Sequence, residues 1–196
     1  MISNFKFQIS NSSKGFTLLE LVVVLALFMI ILGVTVSLFI SIVGHQKRIL
    51  SQQELLSQMS YAQEHMSRAL RLVTKDTTGH CLSDGGTSYA GYVYLLTHYN
   101  AVIGAYQGIK FFTQDGVCQE FFVDPKDNTL QEVKNSSLPQ PIISSKFGMP
   151  NSMFILNGDK TLPGVTSAIE PRVTMMFNIQ GQIFQTTVSQ RNFSTK

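Results

Sequence analysis

Residues 21–44 read LVVVLALFMIILGVTVSLFISIVG, with no charged side chain and only Thr35, Ser37 and Ser41 polar. As a helix rising ~1.5 Å per residue, the stretch reaches ~36 Å, enough to cross a hydrocarbon layer of ~30 Å. Its Val and Ile residues ordinarily lower helix propensity. Inside hydrocarbon, however, every backbone N–H needs a partner within its own segment, and a lone span meets that need only as a helix. The stretch is therefore expected to span a membrane. It also accounts for the composition: 14% of residues are charged, against ~25% in ordinary soluble domains, 44% are hydrophobic and mean hydropathy is +0.13.

The flanks say how the span is used. A polar leader, MISNFKFQISNSSKG, carries Lys6 and Lys14 and no acid, so the positive-inside rule keeps it in the cytoplasm and exports the rest. A secretory signal would show a shorter apolar run followed by a small-residue cleavage site, and none follows. A lone carboxylate, Glu20, stands at the start of the apolar run. Driven to the bilayer centre it would cost about 2.5–3.5 kcal/mol, so a partner or a task is expected for it.

Lys14-Gly15-Phe16-Thr17-Leu18-Leu19-Glu20 followed by an uncharged helix resembles the N-terminus of type IV pilins and type II secretion pseudopilins. The resemblance is specific over residues 14–45 and looser to about residue 75. It implies that a prepilin peptidase cuts between Gly15 and Phe16 and methylates the new N-terminus. It also implies that Glu20 pairs with the Phe16 amino group of a neighbouring subunit during assembly. Gly15, without a Cβ, suits an extended passage through a peptidase cleft. Two features depart from the pattern. The first proline of the chain is Pro125, whereas many major pilins have one within the apolar helix, which leaves Gly33 and Gly44 as weak points worth ~1 kcal/mol each. The leader is also longer than in many type IV pilins.

Beyond the span, His45-Gln46-Lys47-Arg48 marks the exit from the bilayer, and a helical pattern continues. Leu56, Met59, Met66, Leu70 and Val73, with Gln63 at the middle step, define an apolar stripe expected to pack on a sheet. Gln53, Glu64, Arg68, Arg71 and Lys75 face water, with Glu64 and Arg68 as a favourable i,i+4 pair. The helix should stop before Asp76-Thr77-Thr78-Gly79. Short strands are then expected at residues 91–97, 108–113, 119–123 and 130–133 as an antiparallel meander. Others follow at 152–156, 172–178 and 182–189, with a connecting loop over residues 135–150. The expected fold class is α+β and pilin-like: a long N-terminal helix, membrane-spanning in its first half, packed on an antiparallel β-sheet head. The expected division is a leader at 1–15, a transmembrane and assembly helix at 16–44, an amphipathic stem helix at 45–75 and a β-rich head at 76–196.

Chemistry-bearing residues are sparse. Cys81 and Cys118 allow one disulfide in an exported head, worth about 3–4 kcal/mol, or else two free thiols, and they cannot make a four-cysteine zinc site. His80 beside Cys81 is a weak hint of a metal or thiolate site. His45, His65, His80 and His98 show no ligand spacing, and His65 is expected on the solvated stem. Asp124, Asp127 and Asn128 carry oxygen ligands but read first as a β-turn. Tyr89, Tyr92, Tyr94, Tyr99 and Tyr106 are dense, and the alternation of Tyr92 and Tyr94 assigns them to a sheet face rather than a stacking platform. No nucleophile elbow, P-loop or dinucleotide fingerprint occurs, so neither a catalytic residue, a metal site nor a cofactor is expected. A net charge of +3 is too small to point to nucleic acid.

The expected function is a structural subunit, a minor pilin or pseudopilin, of a type IV pilus or type II secretion-like filament, and not an enzyme. Its expected partners are the prepilin peptidase, other pilin or pseudopilin subunits, an inner-membrane assembly platform and the membrane. Before assembly it would be a single-pass protein of the cytoplasmic membrane with its N-terminus inside, and afterwards part of a surface or periplasmic fimbrium. The alternative is an anchored extracytoplasmic binding module, related to adhesion or DNA uptake, which would require neither cleavage nor Glu20.

Overall fold

A computed structural model describes residue 15 and residues 17–158 and 171–190. The chain falls into two compact units that divide between Ser51 and Gln52. One helix, α1 (Leu18–Arg71), runs through that division without interruption at Gly33 or Gly44. In its first part every residue from Thr17 to Ile42 is exposed, including Leu25, Phe28, Ile31 and Phe39. Such a surface is incompatible with water and compatible with lipid or with other apolar helices. The Thr35 hydroxyl folds back on its own helix, donating to the carbonyls of Ile31 and Leu32 at 3.0 and 2.9 Å, so it needs no external partner.

In the second unit α1 buries Leu55, Met59, Ala62, Met66 and Leu70, all at 1% exposure or less. The stripe therefore passes through Leu55 and Ala62, not through Leu56 and Gln63 as the spacing predicts; Leu56 is 49% exposed. Successive steps of 4, 3, 4 and 4 follow the 3.6-residue period more closely than the predicted steps do. The helix also ends at Arg71, short of Lys75, because Val73 and Thr74 leave it to form β1 (Val73–Thr74) beside Thr113 and Phe112.

The remaining strands are β2 (Ser83–Asp84), β3 (Thr87–Ser88), β4 (Tyr94–Asn100), β5 (Ala105–Thr113), β6 (Cys118–Val123), β7 (Leu130–Lys134), β8 (Gln140–Pro141), β9 (Met153–Asn157), β10 (Arg172–Ile179) and β11 (Gln182–Ser189). All pairings are antiparallel, and the main sheet runs β11-β10-β9-β5-β6-β7-β8 with β1 and β4 also on β5. The fold is thus α+β and pilin-like: a long apolar N-terminal helix followed by an antiparallel sheet. The meander β4-β5-β6-β7 is as expected. Its departure is β9, which reaches back to pair Phe154 with Tyr106 of β5 and brings β10 and β11 into the same sheet. Tyr106 already pairs with Tyr99 on one edge, so β9 shares the opposite edge of β5 with β6.

The inner face carries Tyr94, Ile109, Phe111, Phe121, Phe154, Val173, Met175 and Phe177, which form one core with the α1 stripe. Tyr94 lies in β4, but Tyr92 precedes the strand, so the expected alternation of the two tyrosines on one sheet face does not hold. Asp124-Pro125-Lys126-Asp127-Asn128 is a turn: the Asp124 carboxylate accepts from Lys126 N–H at 2.8 Å, and Asn128 takes a φ of 52°.

Candidate functional site

The first turn of α1 is built by Thr17. Its hydroxyl accepts from the Glu20 N–H at 3.3 Å, and its carbonyl accepts from Leu21 N–H at 3.2 Å. Thr17 is therefore the N-cap, satisfying one of the amide groups that every helix leaves open at its start. The sequence signal for this was present and missed: Thr17-Leu18-Leu19-Glu20 is the S/T-x-x-E pattern of a capping box. Glu20 sits in the first turn, where the helix dipole favours a negative charge. Among the described residues no ion pair engages its carboxylate. Gly15 is exposed, with no atom within 4 Å of the position a Cβ would take. Phe16 lies outside the described residues. Gly15 and Glu20 thus bracket the start of the helix, and an exposed carboxylate follows it by one turn.

The head holds the remaining candidates apart from one another. Cys81 and Cys118 form a disulfide with Cα atoms 5.4 Å apart, tying the loop after β1 to the start of β6. The bridge removes the thiolate reading of Cys81 beside His80. His65 is not on a solvated face: it is half-buried, its Nε2 lies 3.1 Å from Glu132 Oε1, and its ring stacks on Tyr61. Lys134 reaches the same Glu132 oxygen at 3.0 Å, and the Gln119 amide donates to it. Among the described residues no cluster of three or more His, Cys, Asp or Glu side chains is arranged to hold a metal.

His98 and Glu120 make a second pair that the sequence did not reveal. Strict alternation along β4 would place His98 with Tyr94 and Leu96. Its φ of 55° instead brings the ring flat onto Phe122, 4.5 Å between centroids, with Nε2 3.2 Å from Glu120 Oε1. Thr97 donates its hydroxyl to that oxygen at 2.7 Å. Gly108 makes room for this: a Cβ there would meet Thr97 Oγ1 and lie 2.7 Å from His98 Cδ2. Burial raises the Glu120 pKa, but the His98 and Thr97 hydrogen bonds and the charges of His98 and Lys110 outweigh it and hold the carboxyl below its ordinary value. Hydroxyl and imidazole both point at the carboxylate rather than at each other. The arrangement is a structural clamp that ties β4 to β6 through the Glu120 carboxylate.

Comparison with protein families finds the prokaryotic N-terminal methylation motif at residues 10–36. That segment contains Gly15, Thr17 and Glu20 and the first two turns and more of α1. A search of curated proteins finds no match, and a search of solved structures likewise finds none. This motif, at the head of a long apolar helix that leads into an antiparallel sheet, supports a type IV pilin-like or pseudopilin-like protein. The motif and the helix fit a pilin or pseudopilin precursor, and α1 is long and apolar enough to cross a membrane.

Proposed function

We propose that the protein is a structural subunit, a minor pilin or pseudopilin, of a type IV pilus or type II secretion-like filament. The observation that carries this reading is the methylation motif heading an exposed, uncharged helix. Prepilin peptidase cuts between Gly15 and Phe16 and methylates the new terminus. The cut leaves the amino group four residues before Glu20 in the chain. In a bundle of apolar helices a carboxylate pairs with an amino group far more strongly than in water, and the attraction falls off with distance. Glu20 therefore pairs with the Phe16 amino group of a neighbouring subunit only when the two helices are in axial register.

The helix waits in the cytoplasmic membrane as a single span, N-terminus inside, and residues 16–44 later become filament core. Residues 45–75 serve as the stem and 76–196 as the displayed head. In both settings the apolar surface avoids water, so transfer from lipid to filament costs little hydrophobic free energy. The contacts are head-to-tail and do not close, which gives an open helical filament on an inner-membrane assembly platform. Its role is packing, not catalysis.

The direct test is the N-terminal mass of the membrane-extracted chain, expressed with and without active prepilin peptidase. A chain beginning at methylated Phe16 only when the peptidase is active is the expected result; an intact Met1 in both cultures, or a cut elsewhere, would overturn it. For the role of Glu20, we expect Glu20→Ala to be processed normally yet lost from filaments. Recovery of that variant in filaments at parental levels would remove the register role.

A further inference from the structure

A cavity of ≈ 290 Å³ opens beside β4, lined in part by Tyr89, Tyr92, Tyr94, Tyr106, Leu96 and Asp84. Its size is near the lower end of the ~300–1,000 Å³ range of small-molecule sites. The four tyrosines do not play one role. Tyr94 is buried and its hydroxyl is committed to the Leu70 carbonyl at 2.7 Å, so it backs the cavity from the core and offers no hydroxyl. Tyr89 and Tyr92 meet edge to face with centroids 5.5 Å apart, which holds both rings in place. Among the described residues the hydroxyls of Tyr89, Tyr92 and Tyr106 have no hydrogen-bond partner. Asp84, exposed at the end of β2, adds a carboxylate, and no Lys or Arg among the described residues lines the cavity.

The walls thus combine aromatic faces with three free hydroxyls and one acceptor carboxylate. Three ligand classes can be weighed against that combination. An anion such as a phosphate ester would meet Asp84 with no cation among the described lining residues to offset it. A quaternary ammonium would suit the rings and the carboxylate, but it has no hydrogen-bonding group and would strip water from three hydroxyls without replacing it. A pyranose presents an apolar C–H face to the rings and a rim of hydroxyls that donate and accept. It leaves no lining group unpaired. We propose that this cavity binds a neutral saccharide, with the ring of Tyr92 against the sugar face and Asp84 and the Tyr106 hydroxyl bonded to sugar hydroxyls. The proposal concerns the head and stands independently of the filament reading.

The chain has six tyrosines and no tryptophan, so tyrosine emission reports directly on a site that contains four of them. The full chain, in a polyoxyethylene detergent that carries no sugar headgroup, is titrated with glucose, galactose, N-acetylglucosamine and their β-linked disaccharides, and separately with tetramethylammonium. At least one saccharide should give a saturable change, with half-saturation at about 1–10 mM as befits a small open site. Asp84→Asn and Tyr106→Phe, which keep side-chain shape, should each weaken it about tenfold, the effect of one lost hydrogen bond to a charged or buried group. Gln185→Ala on β11 should leave it unchanged. No saturable change with any saccharide up to ~100 mM, tighter binding of tetramethylammonium than of every saccharide, or parental affinity in both folded variants would overturn the proposal. Should one variant fail to fold by its melting curve, the other decides.

Discussion

Asp76 shows how one side chain orders a loop. It is 1% exposed, and its two oxygens accept from the N–H groups of Gly79, Cys81 and Leu82 at 2.8–2.9 Å, from Thr78 N–H at 3.2 Å and from the Thr78 hydroxyl at 2.9 Å. Burial alone raises its pKa, but the Leu82 N–H, the Thr78 hydroxyl and the Gly79 and Cys81 N–H groups together hold it below the ordinary value. A depressed folded-state pKa adds stability above the unfolded value of about 3.9, and that stability is lost as pH falls below it. Melting temperature should therefore drop on acidification below about pH 4. Asp76→Asn presents an NH2 group to amide donors, and we expect it to cost about 2–3 kcal/mol at pH 7 and to flatten that acid limb in thermal melts. Tyr94 has the complementary task. Its hydroxyl donates to the Leu70 carbonyl, one of the acceptors a helix leaves open at its C-terminus, and burial pushes its pKa up. Tyr94→Phe should cost about 1–2 kcal/mol by denaturant titration, because the buried carbonyl loses its partner.

At the scale of the element, α1 is two helices in one by environment, and the sequence conveyed each half differently. Its apolar half was legible in full, since an uncharged run of that length has one structure available in lipid. The stem was legible as a helix but not in its rotation. Leu55 and Leu56 are adjacent and chemically identical, and only the position of the sheet decides which is buried. Leu55→Ala should cost about 2–5 kcal/mol, whereas Leu56→Ala should stay within about 0.5 kcal/mol of the parent in the same unfolding assay. Equal effects would contradict the observed rotation. The helix end is likewise a tertiary decision, because Val73 pairs with Thr113 and its carbonyl accepts from the Gln190 amide at 2.7 Å. Glu54 and Gln58 fix the stem further, Glu54 by its ion pair with Lys146 at 2.7 Å and Gln58 by accepting from Ser144 N–H at 2.9 Å.

For the molecule as a whole, the disulfide links fold to compartment. Closing a loop across a separation of 37 residues restricts the unfolded chain by about 3–4 kcal/mol in the entropy model, and such bonds persist only where the medium is oxidising. Membrane-inserted protein should therefore show both cysteines blocked to alkylation until reductant is added, by mass. Cys118→Ser should lower stability by about that amount without altering membrane retention, which the proposed anchoring assigns to α1. Free thiols in the membrane fraction would place the head in the cytoplasm and contradict the proposed orientation.

What the sequence determined by itself is whatever a short window of chain settles through its own chemistry. That covers the apolar helix at residues 21–44, the motif around Gly15 and Glu20 and most strand cores from Tyr94 to Ser189; the Thr17 cap was also readable there and was overlooked. What only the tertiary structure decided is everything set by residues far apart in the chain. β9 pairs with β5 across the β6–β8 excursion, Cys81 finds Cys118, His98 turns onto Phe122, and four tyrosines from different segments line one cavity. Local pattern follows from backbone periodicity and the solvent each side chain needs, which are written residue by residue. Which apolar face meets which depends on the packing of the complete core, and no single segment carries that information.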